Sequence, residues 1–108
     1  GETPATLRSV AIANYKLGDL AQANNDLDLA LSYFKQGLVL SEQVNALGET
    51  PATLRSVAIA NYKLGVLAQA NNDKNKALNY FKVAESLLRK IGTTETDGMA
   101  DYMQSLME

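Results

Sequence analysis

Cysteine and histidine are both absent from the 108 residues. Without cysteine there is no disulfide framework and no thiolate chemistry. That composition suits a reducing compartment, so the cytoplasm is the expected location. Without histidine as well, the usual nucleophile–base partnerships are missing and an enzyme is not expected. The carboxylates of Asp26 and Asp28 sit at a turn signal, where helix capping explains them better than acid–base work. The run Asn24–Asp28 lacks the sixth-place glycine and the distal bidentate glutamate of a calcium loop. There is no glycine-rich phosphate loop, since Gly18 and Gly65 stand singly in helix-patterned stretches. No metal or other cofactor is therefore expected.

Long apolar runs are missing too. None approaches the roughly 20 residues of a membrane span, and no basic-then-apolar leader opens the chain, so neither an anchor nor a signal peptide is expected. Charge of one sign is scarce: the formal net charge is −2, which argues against a general nucleic-acid or anionic-membrane binder. A basic cluster, Lys74, Lys76, Lys82, Arg89 and Lys90, is followed by the acids Glu95, Asp97, Asp101 and Glu108. It reads as a solvated helix face. Hydrophobic residues at 46% and charged residues at 20% are ordinary for a folded chain and exclude general disorder.

What is present is a repeat. Gly1–Asp26 reads GETPATLRSVAIANYKLGDLAQANND, and Gly48–Asp73 repeats it with one change, Asp19 to Val66. A repeat of this length is the signature of stacked supersecondary units, each burying its apolar face on a neighbour. The chain begins on a repeat boundary, as a segment of a longer array or a duplicated unit would.

Helix signals divide each copy in two. Thr3-Pro4 and Thr50-Pro51 pair an N-cap threonine with a proline at the first helical position. Helices are expected from there to Ala23 and Ala70. Leu7, Val10, Asn14, Leu17 and Ala21 fall on one face. Gly18 and Gly65 cost about 1 kcal/mol each inside a helix, and that repeated cost implies close approach of a second helix. Asn24-Asn25-Asp26 and Asn71-Asn72-Asp73 are turns whose aspartates cap the next helices, expected over about Leu27–Ala46 and Lys74–Ile91. Gly48 and Gly92 are read as the glycines that end them. Thr93–Thr96 reads as a loop, with Asp97 capping a last amphipathic helix that carries Met99, Tyr102, Met103 and Leu106 on one face. The fold class is all-α, with units at 1–47, 48–94 and 95–108.

The pattern Leu17-Gly18, Ala30, Phe34, Gly37, echoed by Leu64-Gly65, Ala77, Phe81, Ala84, resembles the tetratricopeptide repeat in a long bacterial form. The early aromatic of that family's first helix is replaced by Asn14 and Asn61. The resemblance implies an α-solenoid of two antiparallel helical hairpins, with the first helix of each lining a concave wall and the last helix capping the end. It implies that Ile12, Tyr15, Asp19 and Gln22, with Ile59, Tyr62, Val66 and Gln69, face a groove. The expected function is then non-enzymatic display of that groove to a peptide or helix of another protein. The last helix has a second reading, as a ligand-like helix that enters a groove in its own chain or another.

Comparison of the copies gives a rival function, self-assembly. Leu27, Leu29, Leu38 and Val39 of the second helix become Lys74, Lys76, Glu85 and Ser86 in the fourth. The C-terminal side thus looks finished for solvent, as a terminal repeat must be. The first helix has no such partner before it. It is expected to expose apolar surface that the third helix buries, and to form a two-fold homodimer through Leu7, Val10 and Asn14.

Overall fold

Capping chemistry places every helix. The structure is a computed structural model that describes residues 3–108; Gly1 and Glu2, at the head of the first copy, lie outside the described residues. Among the described residues five helices occur, in chain order α1 Pro4–Ala23, α2 Leu27–Leu47, α3 Pro51–Ala70, α4 Lys74–Ile91 and α5 Thr94–Met107. No strand occurs among the described residues. The Thr3 hydroxyl accepts from the Thr6 amide at 3.1 Å. Thr50 and Thr53 cap each other's amides, at 3.1 and 2.8 Å. Asp26 accepts from the Leu29 amide and Asp73 from the Lys76 amide.

The Asn-Asn-Asp turns end one helix and start the next without spare residues. Asn25 and Asn72 take left-handed conformations, with φ 61° and 59°, which asparagine tolerates better than most residues. The Asp26 amide then donates to the Ala21 carbonyl and the Asn25 amide to that of Gln22. Asp73 and Asn72 do the same to Ala68 and Gln69. This is the pairing of a Schellman closure, so each aspartate closes one helix with its backbone and opens the next with its side chain.

Two expectations about helix ends need correction. Gly48 has φ 176°, extended backbone that any residue adopts, and a Cβ there would meet nothing within 4 Å. Only Gly92, at φ 76°, uses the freedom of glycine to end its helix. The last helix begins earlier than Asp97. Thr93 and Thr96 form the same reciprocal cap as Thr50 and Thr53, at 3.1 and 3.0 Å, so the expected loop is the first turn of α5.

Successive helices pack on one another, α1 on α2, α2 on α3, α3 on α4 and α4 on α5. Small residues set the spacing. A Cβ on Gly18 would overlap the Phe34 ring, and one on Gly65 would lie 2.5 Å from Phe81 Cε1. Phe34 and Phe81 are 0% and 1% exposed, and burying each contributes about 1.5–3 kcal/mol. That burial offsets the helix-propensity cost of the glycines. Asn14 and Asn61, buried where an aromatic was the family expectation, donate to the carbonyls of Val10 and Val57 at 2.9 Å. No buried side-chain polar atom among the described residues lacks a partner.

The late basic cluster is partly tied down. Arg89 pairs with Glu85 and with Asp101 of α5, both at 3.0 Å, and Lys90 with Glu49 at 3.0 Å. These solvent-exposed pairs tie α5 and the α2–α3 connection to α4 and, being screened by water, add little stability.

Candidate functional site

Tyr15 and Tyr62 occupy equivalent places in α1 and α3, yet they have different surroundings. Tyr15 is buried, not on an open wall. Its hydroxyl lies 3.2 Å from the Gly37 carbonyl, 3.3 Å from the Ser56 carbonyl and against the Ser41 hydroxyl, which is itself 2.9 Å from Ser56 Oγ. The ring lies where a Cβ on Gly37 would be. In the second copy Gly37 becomes Ala84 and Ser41 becomes Leu88. A methyl at the place of Gly37 would overlap a ring set as that of Tyr15 is, and Leu88 offers no hydroxyl partner. Tyr62 is accordingly half-buried against Phe81 and Tyr102, with ring centres 6.3 and 6.2 Å away.

Around Tyr62 lies an apolar cleft of about 470 Å³, within the range of small ligand sites. Helix α3 supplies Ala58, Ile59 and Tyr62, and α5 supplies Met99, Tyr102 and Met103, with Leu88 of α4 as the floor. Glu95 stands at its edge and is held by Arg55 at 2.5 Å. Burial first, and then the neighbouring Tyr102 hydroxyl, raise the Tyr62 pKa above the usual 10.0. Tyr62 thus presents a neutral hydroxyl beside an apolar cavity across the physiological pH range. Aromatic rings and thioethers give such a cavity rigid walls and adaptable ones together.

The other expected wall residues scatter. Ile12 is exposed and Gln22 half-buried. Asp19 pairs with Lys63 at 2.7 Å, and the Lys63 ammonium also lies 5.7 Å from the centre of the Phe34 ring. Val66 packs beside Tyr62, Leu106 and Met107 around the Phe81 core. Gln69 borders a separate hollow with Asn72 and Lys74. The structure brings Ile59 and Tyr62 into one cleft and leaves the first-copy set outside it. Half of the cleft wall comes from α5, which the sequence presented as a cap. The recurring Met99, Tyr102, Met103 spacing was the available signal.

The face expected from Leu7, Val10 and Asn14 is also divided. Leu7 and Asn14 are buried, on the side that carries Ala11, Gly18 and Ala21 toward α2, whereas Val10 is 45% exposed. Of the four second-helix residues that change between the copies, Leu27 and Leu38 are half-buried, and Leu29 and Val39 are exposed. The chain matches no family model, no curated protein and no solved structure.

Proposed function

We propose that the chain is a non-enzymatic protein-interaction module of the tetratricopeptide-like kind. In this reading α1 with α2, and α3 with α4, are antiparallel hairpins stacked in a short α-solenoid. The order of contacts supports it: Gly18 meets Phe34 while the earlier Tyr15 meets the later Gly37, so residue numbers rise on one helix as they fall on the other. The observation that carries the function is the apolar cleft of Ile59, Tyr62, Met99 and Tyr102. It takes a large apolar side chain from a peptide or helix of another protein. Its edge carboxylate, engaged by Arg55, supports recognition rather than catalysis.

A peptide selected by display on the whole chain tests this. Its addition should shift the NMR signals of Ile59, Met99 and Tyr102, and Tyr102→Ala should weaken it at least about tenfold, the loss expected when an interface anchor is truncated. Tyr102 is 52% exposed, so its removal leaves the helices standing, which circular dichroism checks. Selected peptides that bind Tyr102→Ala as tightly as the unmodified chain overturn the assignment.

A further inference from the structure

The two nearly identical helices α1 and α3 differ sharply in what covers them. Along α1, Thr6, Val10, Ala13, Leu17 and Leu20 form one exposed stripe. Val10, Leu17 and Leu20 are 45%, 44% and 60% exposed, whereas Val57, Leu64 and Leu67 of α3 are 6%, 1% and 4% exposed. Thr53 and Ala60, the counterparts of Thr6 and Ala13, are buried as well.

The cover on α3 is α2, and its chemistry is specific. Leu64 and Leu67 share a cluster with Phe34, onto which Leu27, Leu31 and Leu38 pack. Leu38 also packs beside Ala60. At the far end the Thr53 hydroxyl donates to the Asn45 side-chain carbonyl at 2.7 Å. The molecule therefore contains a worked example of what the α1 stripe accepts.

We propose that the α1 stripe is a docking surface for the second helix of another repeat of this sequence type. The helix it fits carries leucines at the places of Leu27, Leu31 and Leu38, and an asparagine at the place of Asn45 that bonds Thr6. A helix of the α4 kind does not fit, because Lys74, Glu85 and Gly92 replace Leu27, Leu38 and Asn45. Charged groups opposite Val10, Ala13 and Leu17 would lose water without gaining a partner. The α2 of an identical chain has this face filled by its own α3, so the occupant comes from a repeat whose second helix is unpaired. This surface is separate from the cleft of Tyr62.

The test places a second copy of residues 1–47 ahead of the full chain, so that Leu47 joins Gly1 as it joins Gly48. Hydrogen exchange of the downstream α1 amides, at Val10 and Leu17 of the original chain, should slow at least about tenfold, toward the rates of Val57 and Leu64. Carrying Leu27→Lys and Leu38→Glu in the added unit should abolish that protection. Because those changes could also unfold the added unit, Val10→Glu in the original α1 supplies an independent readout. It should lower Tm by no more than about 2 °C in the chain alone and by about 5 °C or more in the extended chain. Unchanged α1 exchange, or equal protection by the substituted unit, overturns the proposal. A dimer of the unextended chain that Val10→Glu separates overturns it too, and gives the stripe to the α1 of a second copy.

Discussion

Lys63 on α3 reaches the carboxylate of Asp19 on α1 at 2.7 Å, and Asp19 marks the one position at which these helices differ. Its counterpart Val66 has no lysine to meet. It packs instead in the cluster that holds Leu106 and Met107 of α5. The single difference between the copies thus matches each helix to its neighbour, a cation beside the first and methylenes beside the second. Exchange of the two residues should have unequal effects. Val66→Asp should cost about 1–3 kcal/mol by leaving a carboxylate without a partner in an apolar setting. Asp19→Val removes an exposed ion pair and should stay within about 1 kcal/mol. Urea unfolding measures both, and the reverse order would contradict the assignment.

Gly37 should be intolerant of a methyl group as long as Tyr15 is present. Gly37→Ala is expected to cost about 1–3 kcal/mol through overpacking. In a Tyr15→Ala background the same change should be close to neutral or stabilising, since only the helix propensity of alanine is then felt. A double-mutant cycle reads the coupling directly. Additive costs would mean that the ring and the methyl do not compete.

Phe34 is fully buried and fills the space that Gly18 leaves. Phe34→Ala should cost about 3–5 kcal/mol, seen as an earlier midpoint in denaturant followed by far-ultraviolet circular dichroism. A loss under about 1 kcal/mol would place the ring outside the core.

Alkaline pH should weaken the fold through Tyr62. Its pKa in the folded chain is raised above the usual 10.0, mainly by burial, so the folded state holds the proton more tightly than the unfolded state. The stability this contributes is complete below about pH 10 and falls as pH rises through the folded-state value. Tyr62→Phe should flatten that fall, measured as Tm against pH from 9 upward, and a steeper fall in the variant would reverse the sign.

Helix positions were legible in the sequence because caps and turns are local. Thr50 with Thr53, and Asn72 with Asp73, act through groups no more than a few residues away, so their spelling is their structure. The one cap missed, Thr93 with Thr96, has the same spelling without the proline that drew attention to Thr50. The candidate site was harder to read because its residues are sorted by distant partners. Tyr15 and Tyr62 stand in local sequence that differs only at Asp19 and Val66, one helical turn on, and their surroundings part where Gly37 and Ser41 of α2 become Ala84 and Leu88 of α4. Periodicity assigned Leu7, Val10 and Asn14 to one stripe; the bulk of α2 then covered Leu7 and Asn14 and left Val10 open.

The near identity of α1 and α3 has a consequence for how the chain finds its pairings as it folds. Helices α2 and α4 each confront two candidates with almost the same local propensity and the same apolar pattern, so neither secondary structure nor burial alone separates correct partners from exchanged ones. Chain connectivity gives the first bias, because the turns at Asn25 and Asn72 close over far fewer residues than a pairing of α4 with α1 would. Side-chain fit gives the second: Gly37 on α2 leaves free the space that the buried ring of Tyr15 takes, and in an exchanged pairing the methyl of Ala84, at the matching place on α4, would overlap that ring. The information that removes this degeneracy lies in the helices that are not repeated, and their divergence is what lets two nearly identical segments share one chain without trading places.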